Sequence, residues 1–298
     1  MPELPEVETV KRGLNQVTLH QTLMGGDVLL DRTIAHPSSI AGFLDGLKGT
    51  AIVQWHRRGK YLLAELEGRP QAAGTSPWYS LDSPPPLASS PLLGVHLRMT
   101  GQLFWVMPDT PLHKHTRVRL FFEGDRELRF VDQRTFGQMW WVPPGVPPET
   151  VITGLQALGP EPFSEEFSLA YLRDRLKQRQ RPIKNALLDQ TIVAGLGNIY
   201  ADEALFMTGI RPQTMCHRLT RKQIERLHSN IVKVLEISIE AKGTTFDSFR
   251  SVEGINGNYG GMAWVYARDG EPCRTCGTMI ERLRMAGRSA HFCPKCQV

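Results

Sequence analysis

The 298-residue chain has no apolar run long enough to cross a bilayer. Where a secretory or transit signal would place basic and small residues, its opening, MPELPEVETV, has three acids and two prolines. These absences lead to the expectation of a cytoplasmic protein that neither spans a membrane nor is exported. No internal repeat is visible. Strong charge of one sign is also missing: the formal net charge is only +5, so its distribution matters more than its total. Cysteine is scarce, with five in all, but four of them fall together as Cys273, Cys276, Cys293 and Cys296. The C-x2-C-x16-C-x2-C spacing brings two thiolate pairs onto one tetrahedral zinc ion. The competing reading, two disulfides, is opposed by the reducing poise of the compartment. Cys216, the fifth, reads as an ordinary buried or half-buried thiol.

The length suits two domains, each with its own core. The first half is strand-rich: GTAIVQWHRRGKYLLAEL, LLGVHLRMTGQLFWV, TRVRLFFEG and ELRFVDQRTFGQMWWV alternate or run apolar over strand lengths. A helix precedes them, with Pro5 in its first turn and Val7, Val10 and Leu14 on one face. Residues 69–91 are rich in Pro, Ser and Ala and read as an exposed loop. The run VPPGVPPET at Val142–Thr150 reads as an interdomain connection. The second half changes to helical spacing. In LTRKQIERLHSNIVKVLEISIEAKG, Thr220 and Gln223 form a capping box, Leu219 staples onto Ile224, and Gly243 ends the helix.

Chemistry enters at Gly195-Leu196-Gly197-Asn198. Two glycines allow close backbone approach, and Asn198 can cap the following helix, whose free N–H groups suit a phosphate; a plain interhelical turn fits equally. Upstream, Arg173, Arg175, Lys177, Arg179, Arg181 and Lys184 crowd together with a single acid, Asp174. Such a run is commonly a solvated face, but beside a helix N-terminus it favours a nucleic-acid backbone. The zinc segment adds Arg274, Arg282, Arg284, Arg288 and Lys295, so a ribbon that could be purely structural also fits DNA or RNA.

The opening then gains meaning. Removal of Met1 would leave Pro2 with a secondary amine able to attack an electrophilic carbon and form an iminium. A free α-amine titrates nearer neutrality than lysine, and a helix N-terminus lowers it further. Glu3 beside it can shuttle protons, with Glu6 orienting it. Lys60, heading an apolar strand, is either a solvated edge charge or a phosphate and proton-handling group. Met99 is either core or a flexible wedge for the space left by an extruded base. Arg134 and Phe136 pair a cation with an aromatic on one short turn, suited to an orphaned base or to plain surface. Residues 251–262 are glycine-rich, either a lid or a linker.

Together these segments resemble the formamidopyrimidine-DNA glycosylase family. MPELPEVETV, HLRMTG, DQRTFG, LGPEPF, DQTIVAGLGNIYADEALF, GEPCRTCGT and GRSAHFCPKCQ occur in family order across nearly the whole chain. The resemblance implies an α+β fold. Residues 1–145 would form an N-terminal β-sandwich flanked by helices, with 69–91 an inserted loop. Residues 151–250 would form a helix-two-turn-helix domain, 251–263 a lesion-capping loop and 264–298 a β-hairpin zinc finger, with DNA bent in the cleft between the halves. It implies one structural Zn2+, a monomer, a cytoplasmic and nucleoid-associated location, and as partner duplex DNA containing oxidised purines or abasic sites. The implied activity is bifunctional, glycosylase and AP lyase. Pro2 would form the Schiff base, Glu3 act as general acid/base, Lys60 donate the proton in β-elimination, and Arg288 grip phosphate in δ-elimination. His115, Arg134, Lys184 and Asn198 match DNA contacts; Met99, Arg134 and Phe136 match void-filling residues. The Leu-Pro-Glu-Val wording favours this branch over endonuclease VIII. Arg98 and Thr135 depart from the family pattern, which often has glycine and a basic residue there.

Overall fold

A computed structural model of the protein describes residues 1–68, 90–244, 252 and 257–298. Most of the inserted loop and residues 251 and 253–256 of the expected capping loop lie outside the described residues. The described residues form two compact units. One contains Met1–Pro2, the described part of Val7–Gln156, and Val252; the other contains Glu3–Glu6, residues 157–244 and Gly257–Val298. None of the described helices is long and apolar enough to cross a membrane.

The first unit holds, in chain order, α1 (Leu4–Val17), β1 (Leu23–Val28), β2 (Ile34–His36), α2 (Ile40–Leu47), β3 (Thr50–Arg58), β4 (Tyr61–Gly68), β5 (Leu92–His96), β6 (Gly101–Val106), β7 (Thr116–Phe122), β8 (Arg126–Asp132), β9 (Gln138–Val142) and α3 (Pro148–Val151). The first turn of α1 belongs to the second unit. One sheet runs β1-β7-β8-β6, the other β2-β9-β5-β4-β3. Along β7, Thr116, Val118, Leu120 and Phe122 are buried while the residues between them are partly exposed, the period-2 pattern of a sheet with one dry face. Val118, Leu120, Leu128 and Phe130 from one sheet join Leu62, Leu93, Val95 and Met139 from the other in a single core, so the unit is a β-sandwich. Val7, Val10 and Leu14, the predicted face of α1, close that core with Phe43 and Leu47 of α2. Truncating any of these leucines would cost about 2–5 kcal/mol.

The proline-rich run at 142–150 is not simply a connection. β9 continues to Val142, and Pro148 opens α3, because the first helical position demands no N–H.

The second unit contains α4 (Leu169–Lys177), α5 (Ile183–Leu187), α6 (Asn198–Thr208), α7 (Arg221–Glu240), β10 (Glu281–Met285) and β11 (Arg288–Phe292). The capping box of α7 forms as expected, and Leu219 and Ile224 are both in the core. α6 is the central element. Eight of its eleven residues are buried, including two acids, Asp202 and Glu203. A helix enclosed on all sides shows no amphipathic stripe, and the NIYADEALFMT wording has none.

Candidate active site and nucleic-acid interface

Glu3 is fully buried, and its carboxylate occupies the N-terminus of α6. Ile199 N–H donates to Oε1 at 3.0 Å and Tyr200 N–H to Oε2 at 3.5 Å. The expected helix-end phosphate site is therefore filled from within the chain, since the free amides and the positive dipole end hold a carboxylate just as well. The cap also differs from the sequence reading. Gly197 is the N-cap, Asn198 is the first helical residue, and Asn198 Oδ1 is buried without a hydrogen-bond partner. Gly197 is required by proximity: a Cβ there would lie 2.2 Å from Glu3 Cδ. Gln190 fixes this glycine turn, accepting from Gly195 N–H at 2.9 Å and donating to the Leu196 carbonyl at 2.7 Å.

Glu6 supports the same segment. Its carboxylate accepts from Glu3 N–H at 2.9 Å, Tyr200 O–H at 2.6 Å, and Thr244 N–H and O–H at 2.8 and 3.0 Å; Ser238 O–H donates to Tyr200 in turn. The Glu3–Glu6 stretch is thus held by four hydrogen bonds to one carboxylate. Pro2 is buried.

The basic run divides. Lys184 is fully buried, paired to Asp202 Oδ1 at 2.6 Å and donating to the Ser289 carbonyl. Burial pulls its pKa down, with Asp202 opposing. The resemblance matches Lys184 to a DNA contact; here α5 turns its ammonium into the unit, onto Asp202 and the Ser289 carbonyl. Arg181 pairs with Asp189, and Arg175 donates to the Thr191 carbonyl at 3.2 Å. Lys177 is exposed, and Arg173 and Arg179 are half-exposed. Arg288 is exposed as the first residue of β11 and lines a cavity of about 390 Å³ with Arg181, Asn185 and Asp189.

In the first unit Lys60 lies in the two-residue turn joining β3 to β4, after Gly59 with φ 55° and directly before Tyr61, the first residue of β4. Met99 is half-buried in the turn between β5 and β6. Arg134 and Phe136 are exposed, with the guanidinium carbon 5.1 Å from the ring centroid. Thr100 and Asp132, which the sequence reading did not single out, join these two turns. Thr100 O–H donates to Asp132 Oδ1, Arg134 N–H donates to Thr100 Oγ at 2.9 Å, and Gly137 N–H donates to Asp132 Oδ2 at 2.7 Å. The two departures from the family pattern, Arg98 and Thr135, both have positive φ, 53° and 57°. The left-handed region favours glycine, which rationalises the family's glycine at the first of them.

His115 is half-buried beside Arg117, whose Nη2 lies 3.1 Å from Nδ1. Partial burial, then the neighbouring Lys114 and Arg117 charges, lowers its pKa. The connection before it is anchored by Arg129, which donates to the carbonyls of Thr110 at 2.8 Å, Pro108 at 3.2 Å and Pro111 at 3.3 Å.

The four Sγ atoms of Cys273, Cys276, Cys293 and Cys296 lie within 4.8 Å of one another, with 273–296 at 3.9 Å and 276–293 at 3.5 Å. A tetrahedral zinc with Zn–S near 2.3 Å separates its sulfurs by about 3.8 Å, so the thiolate set fits one structural zinc, which supplies a cross-link between the knuckles and no reaction chemistry. Gln297, fully buried and also missed, ties the second knuckle to the end of α6. It accepts from Cys293 N–H at 2.8 Å and donates to the Ile210 carbonyl at 2.7 Å. Buried Asp202 and Glu203 carried a sequence signal: they are two acids in a helix with no basic residue. Glu203 accepts from the amides of Trp264, Val265 and Tyr266 at 2.8–2.9 Å.

Three family models match in sequence: the formamidopyrimidine-DNA glycosylase N-terminal domain over residues 1–139, its H2TH domain over 158–250, and the zinc finger found in FPG and IleRS over 270–298. A formamidopyrimidine-DNA glycosylase from Nostoc sp. is 62% identical over 298 residues, covering 100% of both chains; that of Nostoc punctiforme is 63% identical over 297 residues, covering 100% of this chain and 96% of the relative. Among solved structures, the Lactococcus lactis Fpg complex with abasic-site DNA superposes with a TM-score of 0.85 at 33% identity, covering 99% of each chain. The MutM (Fpg) protein of Thermus thermophilus gives 0.83 at 36%, covering 99% of this chain and 98% of that one. With its β-sandwich, its buried Glu3 on the glycine turn and its four-cysteine finger already in place, the chain belongs to the formamidopyrimidine-DNA glycosylase family.

Proposed function

We propose that this chain is a bifunctional DNA glycosylase and AP lyase of base excision repair, acting on oxidised purines such as 8-oxoguanine and formamidopyrimidines in duplex DNA. The reading rests above all on the buried Glu3 carboxylate, held by the amides of α6 beside a residue that becomes the amino terminus once Met1 is removed. Related enzymes have been crystallised with DNA containing Fapy-dG, an abasic site and a carbocyclic 8-oxo-G, which supports the same substrate class here.

In this scheme the Pro2 nitrogen attacks C1′ of the extruded nucleotide, the C1′–N bond breaks, and the base leaves with a proton. The C1′–O4′ bond of the ring then opens, with Glu3 delivering a proton to O4′, and the resulting iminium at C1′ acidifies C2′. Loss of a C2′ proton and cleavage of the C3′–O bond complete β-elimination, with Lys60 serving the departing 3′ phosphate. Loss of the C4′ proton and cleavage of the C5′–O bond follow, with Arg288 gripping the departing 5′ phosphate. Glu3 carries protons at the sugar ring. Met99, Arg134 and Phe136 fill the space left by extrusion, offsetting a bending and flipping cost of several kcal/mol. His115 and the exposed arginines bind phosphates, and Asn198 stands at the glycine turn as a further contact. The proposed location is cytoplasmic and nucleoid-associated.

Borohydride trapping on a matched panel of 8-oxoguanine, formamidopyrimidine, thymine glycol and abasic duplexes tests this. The expected result is a covalent adduct mapping to the N-terminal peptide, with purine lesions processed fastest. Pro2→Gly should bind lesion DNA while losing most excision. Full excision by that variant, or an adduct on another peptide, overturns the assignment.

A further inference from the structure

Arg288 faces a positional problem. It sits next to the tip of a two-stranded hairpin whose turn, Ala286-Gly287, has φ 46° and 78°. An isolated hairpin of five paired residues is marginal and would leave an exposed guanidinium free to wander. What holds β11 comes from α6 and α5. Asp202 Oδ2 accepts from the His291 main-chain N–H at 2.9 Å and lies 3.3 Å from His291 Nδ1. Asp202 Oδ1 takes Lys184, whose ammonium also holds the carbonyl of Ser289, the residue after Arg288. Both side chains of the ion pair have zero exposure.

A buried pair of this kind is a weak source of stability, because desolvation consumes most of the Coulomb gain and an apolar pair of similar shape does as well. What an apolar pair cannot do is fasten a strand at two backbone positions. One turn earlier on the same helix, the amides of Ile199 and Tyr200 fasten Glu3. α6 therefore fixes the proton-handling carboxylate at its end and the Arg288 hairpin at its side, and a helix is rigid over so short a span.

We propose that Asp202 is a positioning residue for Arg288: through the main chain of β11 it sets where the guanidinium stands, and so governs the second elimination without touching DNA. This rests on the role given to Arg288 above.

The test is single-turnover cleavage of a preformed abasic duplex by the full-length, zinc-loaded protein, resolving β from β,δ products, with borohydride trapping alongside. Asp202→Asn keeps shape and removes the charge. It is expected to trap within about threefold of the parent while its δ-to-β product ratio falls at least about tenfold. A defect in folding alone would lower trapping and both products together, so the ratio separates positioning from general damage. If Asp202→Asn does not fold, Asp202→Glu takes its place. It keeps the charge against Lys184 and displaces β11 by one methylene, and the same fall in ratio is expected. An unchanged ratio in either folded variant overturns the proposal. Arg288→Ala is measured beside them. If it retains the δ product, the role of Arg288 fails and the positioning role with it. If it loses the δ product while the Asp202 variants keep it, the positioning role alone fails.

Discussion

The two units fix polar groups in opposite ways. In the sandwich, the candidate DNA-facing residues Arg134 and Phe136 are themselves exposed and sit over a few buried or half-buried anchors, Thr100 bonded to Asp132 beneath that turn and Arg129 holding main-chain carbonyls ahead of His115. In the helical unit the carboxylates of Glu3, Asp202 and Glu203 have no exposure at all, and each is met by several donors. A turn held at the surface can relax around a lost contact; a buried carboxylate cannot. The same chemical change should therefore cost far more activity in the second unit than in the first.

The strongest way to break that comparison is to remove the zinc site. Cys293→Ser should release the metal and abolish DNA binding, since the finger folds on its ligands. Zinc content and a lesion-duplex titration check it, and tight binding by the metal-free variant would refute the site's role. Next is Gly197→Ala. Its φ of −132° suits alanine, so the backbone has no objection. The added methyl instead meets the Glu3 carboxylate at 2.2 Å and must push it off the α6 amides. A shift near 1 Å at a reacting group can cost about a hundredfold. Excision should fall on that scale, and Tm should fall as well because the displaced carboxylate stays buried away from its amide donors; a folded Gly197→Ala enzyme of normal rate would show that Glu3's place is not critical.

How much of this was legible beforehand follows the same division. Period-2 alternation gave the sandwich strands, the capping box gave the start of α7, and the cysteine spacing gave the metal site, because each is a local rule. Glu3's partner was not legible: the amides of Ile199 and Tyr200 lie nearly two hundred residues away in sequence, and the reading gave that helix end to a phosphate. Lys184 looked like one more cation in a basic run. Only packing distinguishes the side chain that α5 turns inward from its neighbours facing water. The positive φ at Arg98 and Thr135 was likewise invisible, since neither residue advertises it.

Acid separates the units in another way. Burial alone would raise Glu8, but hydrogen bonds from Lys11 and Arg57 carry it down to about 2, with Lys11 at 2.8 Å and Arg57 at 3.0 Å. A depressed carboxylate stabilises the fold above its unfolded value of 4.5, and that contribution fades as pH falls from there toward 2. Glu203 has the opposite sign: burial raises it despite its hydrogen bonds, so it favours the fold at lower pH and loses that as pH rises through its folded value. Denaturant titration of wild type and Glu8→Gln should show about 2–3 kcal/mol of difference near neutrality, shrinking toward pH 2. A difference constant with pH would assign the effect to packing instead of charge.

The smallest expected effect sharpens the comparison from the sandwich side. Thr100→Val keeps volume and branching but removes the hydroxyl that both donates to Asp132 and accepts from Arg134 N–H. Of the two bonds lost, the one to Arg134 N–H, which sets the turn, is neutral and contributes about 1 kcal/mol, roughly fivefold in a binding constant. Gly137 N–H still reaches the other oxygen of Asp132, so the turn keeps its second anchor. Lesion-duplex affinity should therefore drop by about that factor, with 2-aminopurine placed opposite the lesion reporting a looser fill, and Thr100→Ser should restore both. A loss as large as that of Gly197→Ala would mean that a surface turn is as unforgiving as a buried carboxylate, and the contrast between the two units would fail.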